Sequence, residues 1–185
     1  MEAFDYKQLF ESDEKADQTT LSSWIKPLFD EFNARVFEGK LPTPHIKWQS
    51  RMTRTAGNCK TSPPYEMRLS PIIIISTSRL AHVLLHEMCH LAVSVIDKVW
   101  DPHCPHGPKF KAWGKRANSL FANFPLLEVK AHHNFKLKKK CLYRCTVCHM
   151  VGKSTINRSS RALKNEKCKK CLAPVYLSIE DEQID

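Results

Sequence analysis

The sequence predicts an α+β fold, with a small core of helices packed on a short β-sheet followed by a separate cysteine-rich ribbon. Three observations carry this reading. Apolar residues recur at helical spacing in three separate stretches, short segments punctuated by Gly and Pro read as strands between the first two, and paired cysteines cluster only beyond residue 140. The expected organisation is an acidic mobile tail over 1–18, the core over 19–131, a basic four-cysteine ribbon over 132–178 and an acidic tail over 179–185.

The elements follow in order. In "TTLSSWIKPLFDEFNARVFEGK" residues Trp24, Leu28, Phe29, Phe32 and Val36 recur at helical spacing, and Gly39 and Pro42 mark the end. "HIKWQS", "RTAGNCKTS" and "YEMRLSP" read as short strands, with Gly57 and the Pro63-Pro64 pair as punctuation. A second helix is predicted from Ser78 to Ile96. Its apolar face is Leu80, Val83, Leu84, Met88, Leu91, Ala92 and Val95, and either Ser76 or Ser78 can cap its start. "VWDPHCPHG" reads as a loop, and "PKFKAWGKRANSLFANF" as a third helix with Pro108 in its first turn.

At 185 residues with 42% hydrophobic content, the chain can bury a real core. Its longest apolar run, "PIIII", is far short of a membrane span, so no membrane partner is expected. The acidic start lacks the apolar region of a secretory signal, which points to an intracellular protein. Eight cysteines in a reducing compartment then favour metal binding over disulfides. A monomer is expected.

The formal net charge of +10 is unevenly distributed. Residues 1–31 carry eight acids against three Lys/Arg, whereas residues 132–171 carry twelve Lys/Arg against the single acid Glu166. The basic residues are Lys136, Lys138, Lys139, Lys140, Arg144, Lys153, Arg158, Arg161, Lys164, Lys167, Lys169 and Lys170. Such a segment between acidic ends suggests a polyanion-binding surface, the plainer reading being a solvated lysine-rich face. Lysine and arginine neutralise phosphates without reading sequence, so the expected nucleic-acid binding is non-specific and salt-dependent. Tyr143 and Tyr176 could stack on bases or serve only in packing. "KLKKK" also fits a weak nuclear-localisation pattern.

Within the second helix stands "HEMCH". Residues four apart share a helix face, so His86 and His90 can offer two imidazoles to one ion while Glu87 projects beside them. In zinc peptidases, zinc lowers the pKa of a water molecule and the neighbouring glutamate accepts its proton. His82 lies on the same face but about 12 Å from His90 along the axis, too far to share one ion, and is expected to support the site from behind or to be exposed. Val93 and Ile96 stand where the longer metzincin pattern needs Gly and His, which excludes that class. A catalytic zinc needs a third protein ligand. Asp97 and Asp101 are the nearest acids; His106 is the better candidate, with His103 and Cys104 as local competitors.

"CTVC" and "CKKC" form two CxxC knuckles of the spacing that holds a tetrahedral zinc. Cys145, Cys148, Cys168 and Cys171 would fill the coordination sphere, making the site structural and able to fold a segment too small for its own core. Cys141 and His149 do not fit the paired spacing, and Cys59, Cys89 and Cys104 read as buried or incidental thiols.

"HEMCH" followed by "HGPKFKAWGKRA", with the lead-in "FNARVFEGKLPTPHIKW", "TAGNCKTS" and "MRLSP", resembles the SprT-like zinc metallopeptidases over about residues 22–176. The likeness is greatest to the germ cell nuclear acidic peptidase branch, with Spartan-type proteases as relatives. It implies a zincin-like core and two zinc ions, one catalytic and one structural. It also implies His106 as the third ligand, Glu87 as general base, and a nuclear DNA-associated enzyme acting on DNA-bound or DNA-crosslinked proteins. The long acidic regions frequent in that branch are absent from this chain, which has only short acidic ends. The alternative is a nucleic-acid-binding adaptor with a vestigial zinc site; the intact Glu87 argues against it, because a purely structural site has no use for that carboxylate.

Overall fold

The computed structural model of the chain describes residues 13–99, 103–131, 135, 141–154 and 167–178. It divides into two compact units, residues 1–134 and 135–185.

The first unit begins with α1 (Gln18–Phe37), capped by Asp17, whose side chain accepts from the backbone N–H groups of Thr19 and Thr20 at 2.9 and 3.0 Å. The helix stops where Glu38 and Gly39 adopt left-handed backbone and Gly39 N–H donates to the Asn33 carbonyl, satisfying an otherwise orphaned acceptor. Leu21, Leu28, Phe29, Phe32, Val36 and Phe37 form its buried stripe, while Trp24 stays half-buried.

Three strands follow: β1 (His45–Trp48), β2 (Gly57–Lys60) and β3 (Glu66–Leu69), arranged β1-β3-β2 with β1 parallel and β2 antiparallel to β3. The period-two alternation of β3 sends Met67 and Leu69 into the core, with Gly57 and Cys59 of β2 opposite them on the same face. The other face is charged. There Glu66 accepts from Lys47 at 2.6 Å and Arg68 at 2.5 Å, and those two bonds hold its carboxyl at about 2.

Helix α2 (Thr77–Val95) is the buried centre of this unit, packed by α1, β2, α3 (Pro108–Leu120) and a 3-10 turn (Pro125–Leu127). Its buried positions run from Ser78 to Ala92 almost without interruption, which is the pattern of a helix covered on most sides. Of the two expected caps, Ser76 is the one that closes the first turn, accepting from Arg79 N–H at 3.2 Å. Among the described residues no helix is long and apolar enough to cross a membrane.

The acidic segment expected to be mobile to residue 18 is anchored from Asp13 onward. Arg79 donates to the Asp13 carboxylate from Nε at 3.0 Å and Nη2 at 2.5 Å, Ser76 and Ser78 donate to it as well, and Ala16 N–H reaches the Ile75 carbonyl at 2.9 Å. Local composition marks such a stretch as polar but cannot foresee a partner more than sixty positions away. Partial burial pushes the Asp13 carboxyl up, but the bonds from Arg79 and Ser76 outweigh it and hold it below its ordinary value of 3.8. A depressed carboxyl contributes stability above its unfolded pKa and loses it as pH falls through the folded value. Asp13→Ala should therefore lower Tm by about 2–6 °C near neutrality, with the gap closing below about pH 4 in thermal melts.

The second unit is an antiparallel sheet, β5-β4-β6, of β4 (Cys141–Cys145), β5 (Val151–Ser154) and β6 (Val175–Ser178).

Candidate metal centres

Helix α2 delivers His86 and His90 one turn apart, and the turn before α3 delivers His106. The Nε2 atoms of His90 and His106 lie 3.2 and 3.3 Å from Nε2 of His86. A tetrahedral shell with zinc–nitrogen bonds of about 2.0–2.1 Å separates its donors by about 3.3–3.4 Å, so the three rings fit one such ion. Phe110, in the first turn of α3, packs beneath all three, with ring centroids 4.9, 4.6 and 4.7 Å from His86, His90 and His106. Burial, with the charge of His106 adding to it, pushes His90 down to about 4. The ring is therefore neutral at physiological pH, the form that ligates a metal.

Glu87 is 4% exposed, and burial pushes its carboxyl up to about 8. Cys59 and Cys89 share its surroundings; burial, and then the Glu87 charge, push both thiols up, Cys59 to about 12. Thiols so placed stay protonated and inert.

The other sequence candidates go elsewhere. Asp97 accepts from Trp113 Nε1 at 2.8 Å and pairs with Lys109 at 3.4 Å, fastening the end of α2 to α3 on either side of the His106 turn. His103 and Cys104 are exposed and lie outside the donor cluster, and Asp101 lies outside the described residues. His82, for which exposure was one expectation, is 8% exposed; its Nδ1 lies 3.2 Å from the Leu126 carbonyl, so it ties α2 to the 3-10 turn. The missed feature is Gly57, over which the Glu87 side chain packs. A lone glycine inside a strand was its one sequence signal.

In the second unit, Cys145, Cys148, Cys168 and Cys171 converge with all sulfur atoms within 4.8 Å of one another. The Cys145–Cys171 and Cys148–Cys168 sulfur separations are 3.4 and 3.6 Å. Disulfide sulfurs lie about 2.05 Å apart, whereas four thiolates around zinc lie about 3.8 Å apart, so these distances suit a metal. Cys145 Sγ accepts from the N–H groups of Val147 and Cys148, and Cys168 Sγ from that of Lys170, each at 3.4 Å, which favours the ligating thiolate. The knuckles repeat one backbone plan: His149 and Leu172, each just after the second cysteine, have φ of 56° and 60°. His149 is exposed.

Of the twelve candidate nucleic-acid residues, Lys167, Lys169 and Lys170 are exposed around the second knuckle and Arg144 is half-buried on β4. Lys153 lies on β5. Lys136, Lys138, Lys139, Lys140, Arg158, Arg161 and Lys164 lie outside the described residues.

A model of the SprT-like family matches residues 25–133. The chain is 30% identical to a germ cell nuclear acidic protein of Drosophila melanogaster over 98% of its own length and 17% of that protein's. It is 32% identical to the Homo sapiens germ cell nuclear acidic protein over 85% of its length and 23% of that protein's. It is 37% identical to the Homo sapiens DNA-dependent metalloprotease SPRTN over 60% of its length and 23% of that protein's. It thus spans less than a third of each of these relatives. The family match takes in α2, the His106 turn and α3, more than half of the whole sequence, and on that extent the chain belongs to the SprT-like family.

Proposed function

We propose that the chain is a zinc-dependent endopeptidase acting on proteins bound or crosslinked to DNA. The observation that carries this is a buried carboxylate, Glu87, on the same helix as His86 and His90 and next in sequence to His86, with His86, His90 and His106 bringing donor atoms to the spacing of one ion. His86, His90 and His106 would hold a catalytic zinc, and Cys145, Cys148, Cys168 and Cys171 a structural one, making two zinc ions per chain. When bound, zinc supplies Lewis acidity toward water and the scissile carbonyl. Glu87 takes a proton from the attacking water and returns it to the leaving amide nitrogen. A divalent cation held by the three neutral histidines would favour the ionised carboxylate, offsetting the effect of its burial.

Names of relatives support the rest. DNA-dependent metalloprotease describes SPRTN, and germ cell nuclear describes the acidic proteins, so DNA and a nuclear location are the partner and place proposed here. The basic ribbon holds the enzyme near DNA without sequence preference, and specificity arises from sharing that DNA with the substrate. A monomer suffices for this scheme.

The test is cleavage of a histone by the purified chain, with and without DNA, then after chelation and zinc re-addition. Cleavage should need both DNA and zinc; a chain inactive under every condition would favour the adaptor role. For the ribbon, replacing Lys138, Lys139 and Lys140 by Gln should weaken DNA binding and reduce the log–log salt slope by up to about 2.7 on duplex DNA. An unchanged slope in fluorescence titrations would assign the basic run to import or solubility.

A further inference from the structure

Gly57 opens β2, where glycine normally weakens a strand, and its backbone is not in the left-handed region that would call for glycine. What it lacks is space. A Cβ built on it would stand 2.6 Å from Glu87 Oε1, 2.8 Å from Glu87 Cγ and 2.8 Å from Val83 Cγ1. These contacts all come from one face of α2, and the strand beneath cannot retreat. Gly57 is paired with Leu69 of β3, and the neighbouring Ala56 carbonyl accepts from Ser70 N–H at 2.9 Å.

We infer that Gly57 is a positioning residue: its bare backbone is the floor on which the Glu87 side chain lies, and it fixes where the carboxylate sits beside the histidines. Carbon atoms in contact normally stand about 3.5–4.0 Å apart, so a methyl group at Gly57 makes something move. Val83 is β-branched with a stiff χ1, and the Cα of Glu87 is locked in a buried helix. The yielding part is the outer Glu87 side chain, the part that handles the proton. The cost of a side chain at Gly57 thus falls on proton transfer before it falls on the fold. The inference rests on the proposed role of Glu87.

The experiment compares the full zinc-loaded chain with Gly57→Ala, Glu87→Asp, the double variant Gly57→Ala/Glu87→Asp, and Glu87→Gln, using a DNA-bound histone. Gly57→Ala should retain two zinc ions and a KM within about 2-fold of the unaltered chain, while kcat falls by about 30-fold or more. Asp keeps Cγ but draws its carboxylate oxygens back by one methylene, relieving the 2.6 Å overlap, so Gly57→Ala should cost a smaller factor in the Glu87→Asp background than in the unaltered chain. Thermal melts read the packing without activity. Gly57→Ala should lower Tm in the unaltered chain and lower it less in a Glu87→Ala background. If Gly57→Ala does not fold, Gly57→Ala/Val83→Ala/Glu87→Ala should, because every overlapping side chain is then trimmed.

The inference is overturned by a kcat within about 3-fold of the unaltered chain, an undiminished loss in the Glu87→Asp background, release of a zinc ion, equal Tm penalties in both backgrounds, or a triple variant that stays unfolded. If Glu87→Gln cleaves as fast as the unaltered chain, the proposed function fails instead, and the melts alone judge the packing.

Discussion

Replacing His86 and His90 together by Ala should lower bound zinc from two ions per chain to one and reduce histone cleavage by about 10³-fold or more. The two rings supply two of the three clustered nitrogens, and His106 alone cannot hold an ion against water or buffer. Part of the effect will be on packing, since both rings lie against Phe110. Circular dichroism and a melting curve should show a folded chain with a lowered Tm. DNA binding should persist, because the basic residues and the four cysteines belong to the other unit. Elemental analysis by mass spectrometry checks the count, and loss of both ions together would contradict two independent centres.

The second large effect should come from Cys145→Ser with Cys168→Ser. Both sulfurs belong to residues buried at 0% and 2% exposure, and they come from different knuckles, so the pair breaks the cluster on both sides. In this unit Val147, Met150, Val151, Leu172 and Tyr176 are all exposed, and Cys145 and Cys168 are the only buried apolar residues among those described. With so few buried apolar residues among those described, the fold is expected to rest on metal binding, which contributes about 10–16 kcal/mol in zinc-finger peptides. The variant should bind one zinc ion, and the ribbon amide resonances should collapse into the unfolded range of a proton–nitrogen NMR spectrum. Core resonances should stay dispersed. Cleavage of DNA-bound histone should fall with the lost DNA affinity, and a fully dispersed ribbon spectrum would refute a structural role for this metal.

The sequence-legible parts are those set by local periodicity or fixed spacing. The three helices follow from apolar spacing, Pro108 at the start of α3 and glycine beyond α1, and they occupy Gln18–Phe37, Thr77–Val95 and Pro108–Leu120. Two histidines a helical turn apart, and two CxxC pairs, are likewise legible because neighbours in sequence impose the geometry. His106 is different. Its place just before the third helix made it the better candidate over Asp97, Asp101, His103 and Cys104, and the family resemblance then implied it as the third ligand.

Long-range contacts account for what was not legible. Nothing near Asp13 announces Arg79, and nothing near Asp97 announces that the Trp113 indole will take its carboxylate. His82 shares the periodicity of its helix, yet its burial depends on where the 3-10 turn folds back. Gly57 read as strand punctuation, while its use is the close approach of a helix from another part of the chain.

In the proposed function, Glu87 and a zinc ion held by three histidines together cut peptide bonds. The most direct test is a side-by-side digestion of a DNA-bound histone by the unaltered chain and Glu87→Gln, each shown to carry two zinc ions and to melt at a similar temperature. Glutamine is nearly isosteric but cannot accept the proton, so Glu87→Gln should lose about 10³-fold in rate with zinc content unchanged. Equal rates of digestion from the two proteins would contradict it.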